Sequence, residues 1–284
     1  LVALYESRGK AGATAFAETF MRLLEVMQSF PVFVFAMVLV AVFGGSITNI
    51  IIAIAFVNTP VFIRLVRSEV LSLVQRPFSE AARDASRHRG FKLLVMGYFV
   101  CGAQTMFIGA HLPAYLSDLG QPDWMGATAL ALIGGFNIGG CIVWGLLGNR
   151  FSKKKLLALL YFLRAMAMLV FISTPITPLT VIFFTSTIGL LWLGTVPLTT
   201  GIVAQIFGTQ YMSTLVGITF VSHQIGSFLG IWLGGIVYDN YGTYDPIFYG
   251  GIFLGVAAAF VHFPIDERPL PRLAEEAAAA QPAQ

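Results

Sequence analysis

The stretch RPFSEAARDASRHRGFKLLVMGYFV, residues 76–100, changes character half-way along. Its first part is polar and helix-favouring, with Glu80-Ala81-Ala82 near the start. From Phe91 it turns into the opening of a long apolar run. The chain around it is 57% hydrophobic and only 11% charged over 284 residues, with a mean hydropathy of +0.79, far too apolar for a water-soluble domain. An all-α integral membrane protein is expected. Cys101 and Cys141 both lie in apolar runs without partner spacing, so they read as small packing residues, with no redox pair, metal site or cofactor implied.

A bilayer core takes about 20 apolar residues per helix. On that ruler six spans follow residue 90, at 91–117, 124–148, 156–173, 178–200, 214–238 and 247–263. Before residue 90 two shorter apolar runs, 31–43 and 47–63, are split by Gly44-Gly45-Ser46, which fits a hairpin whose second helix kinks at Pro60. Charge placement tests this division independently. With residue 1 on the cytoplasmic side and every run spanning, 16 of the 17 Lys and Arg residues fall in inside segments or at their edge, and the remaining one, Arg164, lies within a span. That is a positive-inside pattern. It predicts eight spans with both termini cytoplasmic in a bacterial inner membrane, multi-pass in the lipid bilayer.

Residues 27–86, MQSFPVFVFAMVLVAVFGGSITNIIIAIAFVNTPVFIRLVRSEVLSLVQRPFSEAARDAS, resemble the inner-membrane permease subunits of dipeptide and oligopeptide ABC importers. The resemblance covers roughly residues 20–86. It implies that Glu80, Ala81 and Ala82 are the remnant of a loop that docks on an ATPase. By themselves these three residues are good helix formers and nothing more. The family's loop continues with a Gly, where this chain has Ser86, and then with Ile-x-Leu-Pro, where it reads Met96-Gly-Tyr-Phe99. The docking element stops after its first half, so an ABC ATPase is not an expected partner.

Residues 89–284 resemble the C-terminal six-helix half of a major facilitator superfamily transporter. The run at 194–239, GTVPLTTGIVAQIFGTQYMSTLVGITFVSHQIGSFLGIWLGGIVYD, is similar to bacterial members related to monocarboxylate carriers. GLLGNRFSKKK, residues 145–155, matches the family's conformational-latch loop at Gly145, Arg150, Lys153 and Lys154, but Asn149 stands where the family has Asp and Ser152 where it has a second Gly. Asn hydrogen-bonds but forms no ion pair, which implies a weakened latch. Lys153 to Lys155 also serve simply as a topology anchor. The chain therefore reads as a join, with an ABC-permease-like fragment over 1–88, a facilitator half-bundle over 89–264 and an Ala/Pro/Glu-rich disordered cytoplasmic tail over 265–284. The break falls in Ser86-Arg-His-Arg-Gly90.

The resemblance places substrate near the midplane between two six-helix bundles, which makes polar residues within spans the candidates. Thr219, His223, Gly226 and Gly230 recur at helical spacing on one face. His223, near mid-span, is suited to proton coupling or to a hydrogen bond with a neighbouring helix, and on either reading it should face protein. Trp192, Thr195 and Thr199 share a face of the fourth span, where Pro197 interrupts the backbone as a plain kink or as a gate hinge. Gln104 and His111 share a side of the first span, and Asn137 lies beside Gly135 and Gly139 in the second. Gly135-x-x-x-Gly139 and the Gly226, Gly230, Gly234 series read as close helix packing. Arg164 lies nine residues into its span with no carboxylate in any span. Either an anionic substrate offsets it, or it is a buried structural arginine bonded to helix carbonyls or to a missing partner half.

The function expected is transport of a small organic anion such as a monocarboxylate, proton-coupled, by a half-bundle working with a complementary half or as a homodimer, or else an inactive chimeric chain. The alternative is a permease subunit of an ABC peptide importer. Nothing gathers a nucleophile, base and orienting group, so no enzyme is read, and nothing points to nucleic acid. The topology has a direct check. In a chain whose native cysteines are replaced by serine, Lys154→Cys should react with an impermeant thiol reagent only from the cytoplasmic side and Asp239→Cys only from the other. Labelling of both from one side overturns the span count.

Overall fold

In the computed structural model, residues 78–270 are described. The two short spans expected at 31–43 and 47–63, and residues 271–284, lie outside them. The chain divides into two units, Leu1–Ser79 and Glu80–Gln284, and the helices below belong to the second except for the first two residues of α1. They are α1 (Phe78–Arg87), α2 (Arg89–Asp118), α3 (Asp123–Arg150), α4 (Lys153–Ser173), α5 (Pro178–Leu191), α6 (Thr195–Phe207), α7 (Met212–Tyr241) and α8 (Asp245–His262). Among the described residues there is no strand. Six stretches are long and apolar enough to cross a membrane, with α5 and α6 together forming one of them over Pro178–Phe207. The protein is an all-α, multi-pass membrane protein.

Local chemistry fixes the ends of these helices. His88 is the N-cap of α2, its Nδ1 accepting from the Phe91 N–H at 3.3 Å. Thr177 and Thr180 form a reciprocal capping box at the start of α5, with Pro178 at its first position, where a missing N–H costs nothing. α7 ends at Gly242, whose φ of 65° is the left-handed conformation that lets the chain reverse into α8.

The helices associate chiefly as pairs, α2 on α7, α4 on α8 and α3 on α5. The first pairing depends on absent side chains. A Cβ at Gly226 would strike the Phe99 carbonyl and one at Gly230 the Ala103 carbonyl, while from the other side a Cβ at Gly102 would strike the carbonyl of His223. Lipid offers no hydrophobic drive for helices to associate, so such backbone approach is what holds the pair. Gly234 makes room in the same seam for the His111 ring. In α3, however, the glycines that pack differ from those expected. Gly135 and Gly139 have nothing within reach of a Cβ and are exposed, whereas Gly140 sits against the backbone of Leu190. The helical phase of α3 turns the expected pair away from the bundle.

Apolar side chains form two cores. One, towards the Lys153 loop, gathers Phe91, Leu94, Leu157, Ile202 and Phe207. The other, towards the opposite end, gathers Phe107, Leu112, Tyr115, Phe171, Phe184 and Phe248. Between them the buried residues turn polar, with Gln104, Arg164 and Thr195 at this level. Gly230→Val should therefore lower the thermal stability of the detergent-solubilised chain, overpacking of this kind costing about 1–3 kcal/mol or more. Gly139→Val should leave it unchanged. Equal effects of the two would show that α2 and α7 do not meet through these glycines.

Candidate functional site: a broken helix and its polar clamp

The fourth span is interrupted at Trp192–Gly194. A helix that stops leaves its last carbonyls without intrahelical donors, and in an apolar interior each must find a partner within the protein. Here every one from Gly189 onward does. The Gly189 carbonyl accepts from the Trp192 N–H at 3.1 Å, and that of Leu190 from the Trp144 indole at 3.0 Å. Those of Leu191 and Trp192 both accept from Arg164 Nη2, at 2.6 and 2.8 Å. Beyond the break, the Leu193 N–H donates to Asn137 Oδ1 at 3.0 Å and the Val196 N–H to the Leu193 carbonyl at 2.9 Å. Pro197 lies in the first turn of α6, where proline is tolerated. The interruption thus sits upstream of the proline that signals it.

Arg164 is 0% exposed. Besides the two carbonyls it reaches Gln104 Oε1 at 3.4 Å and Cys101 Sγ at 3.6 Å through Nη1, and its guanidinium lies 5.5 Å from the centre of the Tyr161 ring. Nε has no partner among the described residues, and none of the described carboxylates pairs with the group. Its charge is met instead by the carbonyl end of α5, the negative end of that helix dipole, through charge-assisted hydrogen bonds. Gln104 is held in turn, its Nε2 donating to the Gly251 carbonyl of α8 at 2.7 Å. Cys101 Sγ lies 3.2 Å from Thr195 Oγ1 at the start of α6. Four of the six spans meet at the break, and a fifth, α8, is tied to it only through Gln104.

The structure thus brings together Gln104, Asn137, Arg164, Trp192 and Thr195, with Thr199 buried one turn further along α6. Thr219 and His223 lie in the seam between α7 and α2, with His223 beside Cys101 of the clamp. His223 is 5% exposed, with Nδ1 3.3 Å from Ser227 Oγ and its ring 5.0 Å from that of Tyr98. The face carrying Thr219, His223, Gly226 and Gly230 is a packing face. Trp144 and Cys101 were missed in the sequence, although Trp144 follows Asn137 by seven residues and Cys101 precedes Gln104 by three, both helical repeats. His262 was missed as well; it is buried and stacked on Tyr161 at 5.0 Å.

The latch loop is engaged from an unexpected quarter. Asn149 and Arg150 are exposed. Glu267, from beyond the last span, accepts from Ser152 Oγ and from the Lys154 N–H, both at 2.7 Å, and so caps α4. Lys154 Nζ donates to the Ile265 carbonyl at 2.5 Å, Lys153 Nζ to Gln205 Oε1 at 3.0 Å, and the Leu270 N–H to the Ile206 carbonyl at 3.0 Å. Residues 265–270, expected in the tail, form a strap over the ends of α4 and α6. The free N–H groups at the start of α4 draw the carboxylate in. Glu80, Ala81 and Ala82 fall within α1, a ten-residue helix. Ala82 is half-buried, and the side chains of Glu80 and Ala81 lie outside the described ones.

Residues 13–86 match the family model described as "binding-protein-dependent transport system inner membrane component". Over 69 residues the chain is 44% identical to the dipeptide transport system permease protein DppC of Alkalihalophilus pseudofirmus, which is 24% of this chain and 23% of that one. It is 46% identical over 64 residues to the glutathione transport system permease protein GsiD of Escherichia coli, 22% of this chain and 21% of that one. A different relative is the MFS-type transporter YcxA of Bacillus subtilis, 30% identical over 153 residues, 52% of this chain and 37% of that one. Both kinds of relative are membrane-transport proteins. None of these is an enzyme. The YcxA match is too long to fit before residue 86 and so extends into the six-span bundle. The chain covers well under half the length of each relative.

The strap gives this region its test. Glu267→Ala should cost about 1–2 kcal/mol, the usual worth of a helix cap with its hydrogen bonds, read as a lower melting temperature and faster proteolysis across residues 263–270. Glu267→Gln, which keeps an acceptor, should fall between the two. No change in either variant would show that the carboxylate does not cap α4.

Proposed function

We propose that the six-span bundle is one half of a secondary transporter of the major facilitator type, acting against a second six-helix bundle supplied by another chain or another copy. The observation that carries this is the exposure of α3, the least buried of the six spans, only 17% of whose most apolar stretch is buried, together with that of α7, 28% buried like α8. Gly134, Gly135 and Gly139 lie open on α3, while Gln224 is exposed in the middle of α7. Small residues that invite close helix approach, and an amide that needs a protein or water partner, suit a face meeting protein or a solute path better than lipid. The partial match to YcxA supports the same reading. The setting is a bacterial inner membrane with both ends of the chain cytoplasmic.

The solute on this reading is a small organic anion such as a monocarboxylate, moved with a proton. The carboxylates of the six spans, Asp118, Asp123, Asp239 and Asp245, all lie at helix ends, whereas Arg164 and His223 lie well inside. A buried positive field disfavours a cationic solute. His223 is the proton-linked group.

A second reading is favoured by the match over residues 13–86, an ABC importer permease subunit. It is the weaker one, because the docking pattern stops at Ser86 and six further spans follow. We take the chain to be a fusion of the two, without a functional ATPase partner.

Flux of labelled carboxylates into proteoliposomes against a pH gradient tests the main reading. His223→Gln should retain transport and lose its pH dependence. An unchanged pH profile in that variant, or preference for a cationic solute, removes the proposal. Stoichiometric co-purification of a peptide-importer ATPase, lost on Glu80→Lys, would favour the second reading.

A further inference from the structure

We infer that Arg164 is a positioning residue that holds the fourth span broken. This holds whichever solute moves, and stands apart from the function proposed above.

The argument rests on which donors compete for the same carbonyls. In an uninterrupted helix the carbonyls of Leu191 and Trp192 would accept from the N–H groups of Thr195 and Val196, four residues on. In the structure both are taken by Arg164 Nη2, and Val196 donates to Leu193 instead. Likewise the Leu193 N–H, which would return to Gly189, is held by Asn137. The guanidinium therefore has its two shortest hydrogen bonds only while the span is open. If the helix rejoined, Arg164 would keep only the longer contacts to Gln104 and Cys101, with Nε still unpartnered. A fully buried cation with so few acceptors is costly.

The rejoined helix would also recover less than an ordinary one. Pro197 has no N–H to give the Leu193 carbonyl, so even the continuous helix lacks one bond at this level. Two ordinary backbone bonds would be gained against two charge-assisted ones lost, the stronger kind, so the open arrangement is the favoured one. Gln104 belongs to the same device. Its bond to the Gly251 carbonyl fixes the side chain that orients Nη1, and a Cβ at Gly255 would collide with it. α8 is thereby connected to a break it does not touch.

Thr195 reports the position of α6, because its hydroxyl lies 3.2 Å from Cys101 Sγ. In full-length Cys141→Ser protein, Thr195→Cys should form a disulfide with Cys101 when membranes are treated with iodine, scored as loss of both sites for a polyethylene-glycol maleimide after denaturation. Arg164→Met in that background should lower the trapped fraction several-fold. Arg164→Lys, which keeps a donor and the charge, should restore much of it. The inference is overturned if Arg164→Met traps as well as the parent, if Lys and Met are equally impaired, or if the parent forms no disulfide. Should Arg164→Met fail to accumulate, Gln104→Leu takes its place. A several-fold loss is again expected, and an unchanged trapped fraction again overturns the inference.

Discussion

The guanidinium of Arg164, seated on the carbonyls of Leu191 and Trp192, is the interaction on which the centre of this bundle depends. It answers a constraint with no counterpart in water, since a helix that stops within an apolar medium must have its exposed carbonyls met by donors from neighbouring spans. One side chain meets two of them, and its charge is solvated by their dipoles in return. Removing either party would leave the other buried and unsatisfied. That mutual dependence explains how a charge persists at this depth without a carboxylate beside it.

The rest of the bundle is arranged around this polar level. A densely aromatic core on one side and a mixed aliphatic and aromatic one on the other flank it with apolar side chains, and in such surroundings each hydrogen bond is stronger and each unmade one more expensive. The glycine seam of α2 and α7 holds the first span at the distance from which Cys101 and Gln104 reach the break. Asn137 and Trp144 reach it from α3. The clamp is thus a product of helix packing and could not be assembled from one span alone.

Much of this was legible in the sequence, and the reasons for the remainder are specific. Length and hydropathy placed five of the six later spans within about three residues of their observed limits, because a bilayer imposes one length scale on every helix, while the fourth runs to Phe207, seven residues past its expected end. Pro197 marked the right span but not the right residue, since proline is comfortable in the first turn of a helix and the chain breaks just before it. The phase of α3 was misjudged because Gly135 and Gly140 look equally suited to packing until a neighbouring helix selects a face. Glu267 was read as part of a polar tail because nothing local distinguishes a solvated carboxylate from one drawn to a helix end far away in sequence. Arg164 was noticed for its charge, and sequence alone left open whether a solute or a backbone receives it.

The open glycines of α3 carry a cost that the bundle itself never offsets. Each glycine in a helix interior gives up about 0.5–1 kcal/mol relative to alanine through lost chain entropy. At Gly226 and Gly230 that loss is compensated by backbone contact, while Gly134, Gly135 and Gly139 have nothing near them. Taken alone, α3 is a helix made easier to unwind along one side. Its stiffness is then a property of its surroundings, so the same sequence can be pliant when that side is bare and rigid once something dense lies along it.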